Sequence, residues 1–260
     1  MDNMTNLPTE GSLREQMAAY FLSLPPPAEH TPAQRREYLR QLKRLGELER
    51  QEILSAPNRH RPLVWGNPAA LLQTFLAAAQ RLAAGLGQPL LLFPARDAAI
   101  GGDALFHPRV LTVTTAAVLA DACVAAPRQP VWVQLQERRH ALAVTVTAEV
   151  PFIQEDTLAL IKECTELHGG SPVHCNNTVL FTCGLGGTPP QGARLYGCPT
   201  EEDLLQDTLS PVWSGFYAAV YSSSTTSSSK SAAVEEEATS SACTSSASEE
   251  GAITGSDSSP

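Results

Sequence analysis

Residues 107–150 read HPRVLTVTTAAVLADACVAAPRQPVWVQLQERRHALAVTVTAEV. The first half is an apolar run opened by His107-Pro108. Proline suits the first helical position, where its missing N–H would have had no partner anyway. Pro127 stops the run. From Pro130 to Glu137 the pattern switches to strict alternation, with Val131, Val133 and Leu135 on one face. Ala141–Val150 alternates likewise, aligning Leu142, Val144 and Val146. Arg138-Arg139-His140 falls between the two runs as a turn, so they form an antiparallel hairpin. A long apolar helix feeding directly into paired strands predicts an α+β class, with helices laid on a sheet.

Working outward, Glu155–Leu167 has helical spacing and ends at His168-Gly169-Gly170, a glycine stop. Thr178–Leu185 (TVLFTCGL) reads as the last strand. On the other side, Pro89–Ala95 (PLLLFPA) reads as a strand, followed by a Gly-containing loop over Ala98–Ala104. Asn67-Pro68 opens a helix that reaches Leu86, and the polar, Arg- and Pro-rich stretch Ala56–Gly66 reads as a linker. Before it lie two amphipathic helices. Ser12–Leu24 begins with a capping box, Ser12 with Glu15, and Pro25-Pro26-Pro27 ends it. Thr31-Pro32 opens the second, which runs to Leu54 with Tyr38, Leu42, Leu45 and Ile53 among its apolar positions. Together they form a hairpin whose stripes need cover, and a homodimer closing a four-helix bundle is one way to provide it.

The predicted organisation is a helical hairpin (residues 11–55), an α+β sandwich with a mixed sheet and helices on one face (62–187), an aromatic extension (188–221) and a tail (222–260). Trp213, Phe216, Tyr217 and Tyr221 in the extension could pack on the sandwich or serve as a docking peptide. The tail is almost all Ser, Thr, Ala, Glu and Gly, with no aromatic residue, so it cannot bury enough apolar surface to offset its ordering entropy and is expected to be disordered. With Lys230 against six acids it carries −5 of the chain's formal −9.

An acidic chain argues against nucleic-acid binding, which needs clustered cations. The arginines of the second helix are interleaved with Glu37, Glu47, Glu49 and Glu52, the pattern of a solvated face. The six cysteines form no CxxC pair and no zinc-ligand spacing with histidine. The scattered histidines suggest no metal site. Gly184–Gly187 (GLGG) lacks the Lys-Ser/Thr of a phosphate-binding loop and reads as a turn. Asp97, Asp103 and Asp121 are best taken as separate acids. There is no apolar leader at the start and no uninterrupted membrane span, so the chain is expected to be cytoplasmic.

Several strings resemble the sensor histidine kinases. PAQRREYLRQLKRLGELERQEIL (32–54) is similar to the second helix of their dimerisation hairpin. HPRVLTVTTAAVLADACVAAP (107–127) resembles the helix carrying the N-box of GHKL-type ATP-binding domains. ALAVTVTAEVP (141–151) resembles the strand leading to the first glycine motif, and ALIKECTELHGGSP (159–172) the helix that ends in LHGG. The resemblance spans about Leu13–Leu185 and implies a GHKL-like sandwich behind a dimerisation hairpin.

It also implies what is missing. Asparagines of the N-box helix hold Mg²⁺ and phosphates in that family. The matching positions are Ala117, which cannot ligate, and Asp121, which offers hard oxygen ligands. The adenine-binding aspartate falls at Ala148, and the glycines after it at Val150 and Phe152. Glu149 is one residue out of register and so faces the other way. Glu155-Asp156 at the next helix start would repel a triphosphate. Only three residues separate Pro151 from Glu155, where the family has a long lid. The phosphoacceptor histidine falls near Gly11, and His30 lies at the wrong end of the hairpin. No catalytic residue is assigned, and ATP with Mg²⁺ is expected only if the altered pocket survives. The implied role is a catalytically impaired signalling protein that acts through a homodimer, a response regulator or another histidine kinase. The alternatives are an active kinase with a remodelled pocket and a non-enzymatic adaptor that recruits partners through its C-terminal segment.

Overall fold

A computed structural model of the chain describes residues 10–24, 29–55, 62–93 and 102–225. Helices α1 (Glu10–Ser23) and α2 (Pro32–Ser55) come first. They are antiparallel: Arg14 near the start of α1 pairs with Glu52 near the end of α2 (3.1 Å), whereas Phe21 meets Tyr38 edge-to-face. There follow β1 (Val64–Gly66), α3 (Pro68–Gly85), β2 (Leu90–Phe93), β3 (Ala104–Phe106), α4 (Pro108–Ala125), β4 (Val131–Arg138), β5 (Ala141–Thr147), α5 (Glu155–Leu167), β6 (Pro172–Cys175), β7 (Thr178–Gly184) and α6 (Glu201–Gln206). A C-terminal helix occupies residues 211–225 and is π-helical over Val212–Tyr217.

The main sheet has the order β2-β4-β5-β7-β6. β2 runs parallel to β4, with α4 as the crossover, and every other pairing is antiparallel. The inward set is the one the alternation predicted: Val131, Val133 and Leu135 of β4, Leu142, Val144 and Val146 of β5, and Val179, Phe181 and Cys183 of β7 share one core with α3, α4 and α5. The helices therefore lie on one face of a mixed sheet. α4 is apolar enough to cross a membrane by length and composition, but most of it is buried inside the fold.

The Asn67-Pro68 and His107-Pro108 helix starts hold, whereas the expected capping box at Ser12 does not, because α1 begins at Glu10 and Ser12 lies inside it. The Asn67 side chain accepts the Ala70 N–H (3.0 Å), and His107 Nδ1 accepts that of Val110 (3.2 Å). The β4–β5 turn places Arg139 and His140 both at positive φ, 47° and 63°. Two such residues make the hairpin turn that matches strand twist, and glycine adopts it without the Cβ penalty. His140→Gly is expected to stabilise the protein by about 1 kcal/mol, read as a higher denaturation midpoint at unchanged m-value.

Four segments differ from the sequence reading. Val64–Gly66, within the expected linker, is a strand paired with β3, and Trp65 also exchanges backbone hydrogen bonds with the 194–196 segment (2.8 Å each way). β3 itself begins at Ala104, where a loop was expected to end. Three-residue strands are too short to show any period. β6 is a further strand, joined to β7 through Asn176-Asn177. Finally, the C-terminal helix continues past Tyr221 to residue 225, the Ser222, Ser223 and Ser224 hydroxyls donating to the carbonyls of Ala218, Val220 and Tyr221. The rest of the expected tail, the Pro25–Pro27 turn and most of the 98–104 loop lie outside the described residues.

The extension is cover for the fold. Trp213 Nε1 donates to the Leu205 carbonyl (3.0 Å), and Val212, Phe216 and Val220 enter the main core. Met17, Phe21, Tyr38, Leu42 and Leu45 of the hairpin gather round Ala218, with Trp213 and Tyr217 packed against them. The hairpin stripe thus has a partner within its own chain, and hairpin and sandwich belong to one compact unit.

Candidate functional site

α4 is enclosed on all sides. Every residue from Val110 to Cys123 is buried. One face lies on β4 and β5, and the C-terminal helix and α2 cover the other. The approach is close because small residues meet there. A Cβ on Gly215 would stand 3.2 Å from that of Ala116, and one on Gly46 would stand 2.7 Å from the Ser214 carbonyl oxygen. The backbones of α2, the C-terminal helix and α4 are therefore stacked with almost no side chain between them.

The sequence-predicted positions can now be placed. The Ala117 methyl is 4 % exposed and belongs to the main core. Ala148 is buried just past the end of β5, its N–H donating to the Asn177 carbonyl (3.0 Å) and its carbonyl accepting from Asn177 Nδ2 (3.0 Å). Phe152, in place of a glycine, fills core volume, whereas Glu149 and Val150 are exposed. Neither alanine presents a ligating side-chain atom, so two of the three positions do not fit a nucleotide or its metal.

Asp121 is the third, and its carboxylate is engaged. Oδ2 accepts the Gln154 N–H at 3.1 Å, tying the first turn of α5 to α4. Burial raises its pKa above the usual carboxylate range, against the pull of that hydrogen bond and of the nearby Arg50. Next to it a polar cleft of about 520 Å³ opens between α2 and the start of α5, lined by Glu47, Arg50, Gln51, Leu54, Gln154 and Asp156. Its charges are two carboxylates against one guanidinium, with Glu155 following Gln154 along the chain, a poor setting for a polyphosphate. Among the described residues no group of three or more His, Cys, Asp or Glu is placed to hold a metal ion.

His168 of the LHGG string is a structural residue. Its Nε2 accepts the His107 N–H (3.0 Å) and its Nδ1 lies 2.6 Å from the Cys164 carbonyl, so the ring joins the end of α5 to the start of α4. Burial lowers its pKa to about 4 and keeps it neutral. Gly169, at φ +64°, turns the chain out of α5, and the Gly170 N–H closes the helix end on the Thr165 carbonyl (2.8 Å).

No protein-family model matches this sequence, and no curated protein matches it. Solved structures do. The chain matches Acinetobacter baumannii histidine kinase AdeS over 67 % of its own length and 94 % of that chain, at 13 % identity and a TM-score of 0.47. It matches the cytoplasmic segment of histidine kinase QseC over 58 % and 95 %, at 15 % identity and 0.41. The match to histidine kinase ThkA, solved in complex with response regulator TrrA, covers 68 % and 59 %, at 11 % identity and 0.43. All three of these solved structures are histidine kinases, and the likeness is one of fold.

Reading the sequence alone missed the junction of Glu49, Ser214 and Gly215. One signal was present: Glu49 falls on the stripe formed by Tyr38, Leu42, Leu45 and Ile53, at a position where a helix in this pattern would carry an apolar residue.

Proposed function

We propose that this chain is a histidine-kinase-like signalling protein that has lost nucleotide chemistry and works in the cytoplasm by binding a response regulator or another histidine kinase. The observation that supports this most is the cover over α4. α2 and the C-terminal helix both pack on α4, where Ala117 is buried in the main core, and Ala148 is held by hydrogen bonds to Asn177. A nucleotide would have to expose a buried helix to reach an alanine that offers it no ligand.

Titrating the full chain with Mg-ATP and Mg-ADP tests this. A ligand that binds only the folded state raises stability by about 2.7 kcal/mol at a hundredfold excess over its Kd. Neither heat nor a thermal shift is expected, and Ala117→Asn is expected to leave both at zero, because a single amide added to a buried position supplies neither the glycines nor the adenine carboxylate that the pocket lacks. Saturable heat from either protein would refute the binding-only reading and favour an active enzyme with a remodelled pocket around Asp121.

A further inference from the structure

Glu49 is 3 % exposed and lies where four elements meet. Its Oε2 accepts a hydrogen bond from the Ser214 hydroxyl of the C-terminal helix at 2.8 Å. Its Oε1 faces two guanidinium groups without a hydrogen bond to either: Arg14 Nη2 of α1 at 3.8 Å and Arg109 Nε of α4 at 4.0 Å. Both arginines turn instead to Glu52, one turn along α2, at 3.1 Å from Arg14 and 2.9 Å twice from Arg109. Asp207, before the C-terminal helix, is the remaining charged group that acts on Glu49.

The Ser214 hydroxyl has a second acceptor within reach, the Ser210 carbonyl at 3.4 Å. The Glu49–Ser214 pair therefore supports two hydrogen-bond arrangements. With Glu49 ionised, Ser214 donates to the carboxylate. With Glu49 protonated by solvent, the carboxyl O–H donates to Ser214 Oγ, and the Ser214 hydroxyl swings to Ser210. No bond is lost in the exchange, and only the charge of the junction changes. The junction has no slack either, since Gly46, less than a turn earlier on α2, abuts the Ser214 carbonyl.

We infer that this junction is a proton-responsive latch: protonated Glu49 clamps the helical hairpin onto the C-terminal helix and over α4, and ionised Glu49 loosens that clamp. Burial supports this, pushing the Glu49 carboxyl up to about 7 against the Ser214 hydrogen bond and the charge of Arg14. A folded-state pKa raised above the ordinary 4.5 means that the added stability is fully present below about 4.5 and is lost as pH rises through about 7. The hairpin would therefore be held most firmly in acid and would loosen across the neutral range.

Hydrogen exchange of the full chain at pH 5.5 and pH 8, corrected for intrinsic chemistry, reads this directly. Peptides from α2 are expected to open more readily at pH 8, on the order of tenfold, while peptides from β5 serve as the internal reference. Glu49→Gln, which mimics the neutral form, is expected to flatten the pH dependence. Ser214→Ala, which removes the donor to the ionised form, is expected to raise opening more at pH 8 than at pH 5.5. Equal slopes in the wild type and Glu49→Gln would overturn the latch. So would a Glu49→Gln protein that fails to fold, because the latch requires that a neutral side chain be accommodated.

Discussion

Gly170→Ala is expected to cost about 3 kcal/mol or more, lowering Tm by roughly 10 °C in a protein of this size. A methyl group at this position would overlap the carbonyl of Thr182 on β7. The backbone there cannot give way cheaply. The Gly170 N–H is bonded to the Thr165 carbonyl, the Ser171 N–H to Thr182 Oγ1 (2.9 Å), and the Gly184 N–H to the His168 carbonyl (2.9 Å), so the segment is laced to β7 on both sides of the clash. Gly169→Ala provides the contrast. That residue has open space around its missing Cβ but sits at φ +64°, so its substitution should cost only about 1 kcal/mol, from backbone strain. Equal melting temperatures for the two variants would show that β7 does not approach Gly170 as described.

Leu42→Asp should have a comparable or larger effect, of at least about 4 kcal/mol, because it places a carboxylate where the side chain is fully buried. The loss should fall first on the hairpin and the C-terminal helix. Leu42 belongs to the smaller cluster with Met17, Phe21, Tyr38, Leu45 and Ala218, whereas α3, α4 and the sheet share a separate, larger core. Light scattering with thermal melting separates two accounts of this stripe. In-chain packing predicts a lower melting temperature at unchanged mass. A stripe that closes a bundle with a second copy predicts a halved mass. An unchanged melting temperature would show that the stripe is not buried at all.

Much of the fold could be read from period alone. β4 and β7 carry alternating residues buried on one side only, β5 departs from this at the buried Ala143 alone, and α4 is a long apolar run and α5 an amphipathic one, bounded by a His-Pro start, a proline stop and a Gly-Gly stop. Each of these signals is local and repeats over several residues. The resemblance to the sensor histidine kinases rests on the same elements, and Ala117, Asp121 and Ala148 were identified from it. What these residues do was a different matter. That Asp121 is engaged by the Gln154 N–H, and that Ala116, next to Ala117, meets Gly215 of the C-terminal helix, depends on partners 33 and 99 positions away along the chain.

By itself, then, the sequence determined the α+β class, the hairpin and the starts of α3 and α4, because each follows from a residue's own chemistry or from its neighbours within a turn or two. Only the tertiary structure decided the short strands β1 and β3, the cover over α4 and the junction at Glu49. Three-residue strands have no period to display. A glycine such as Gly46 or Gly215 looks like flexibility in a sequence and becomes close contact only when another backbone fills the space. A glutamate on an apolar stripe looks like an interruption until the serine that receives it arrives from 165 residues away.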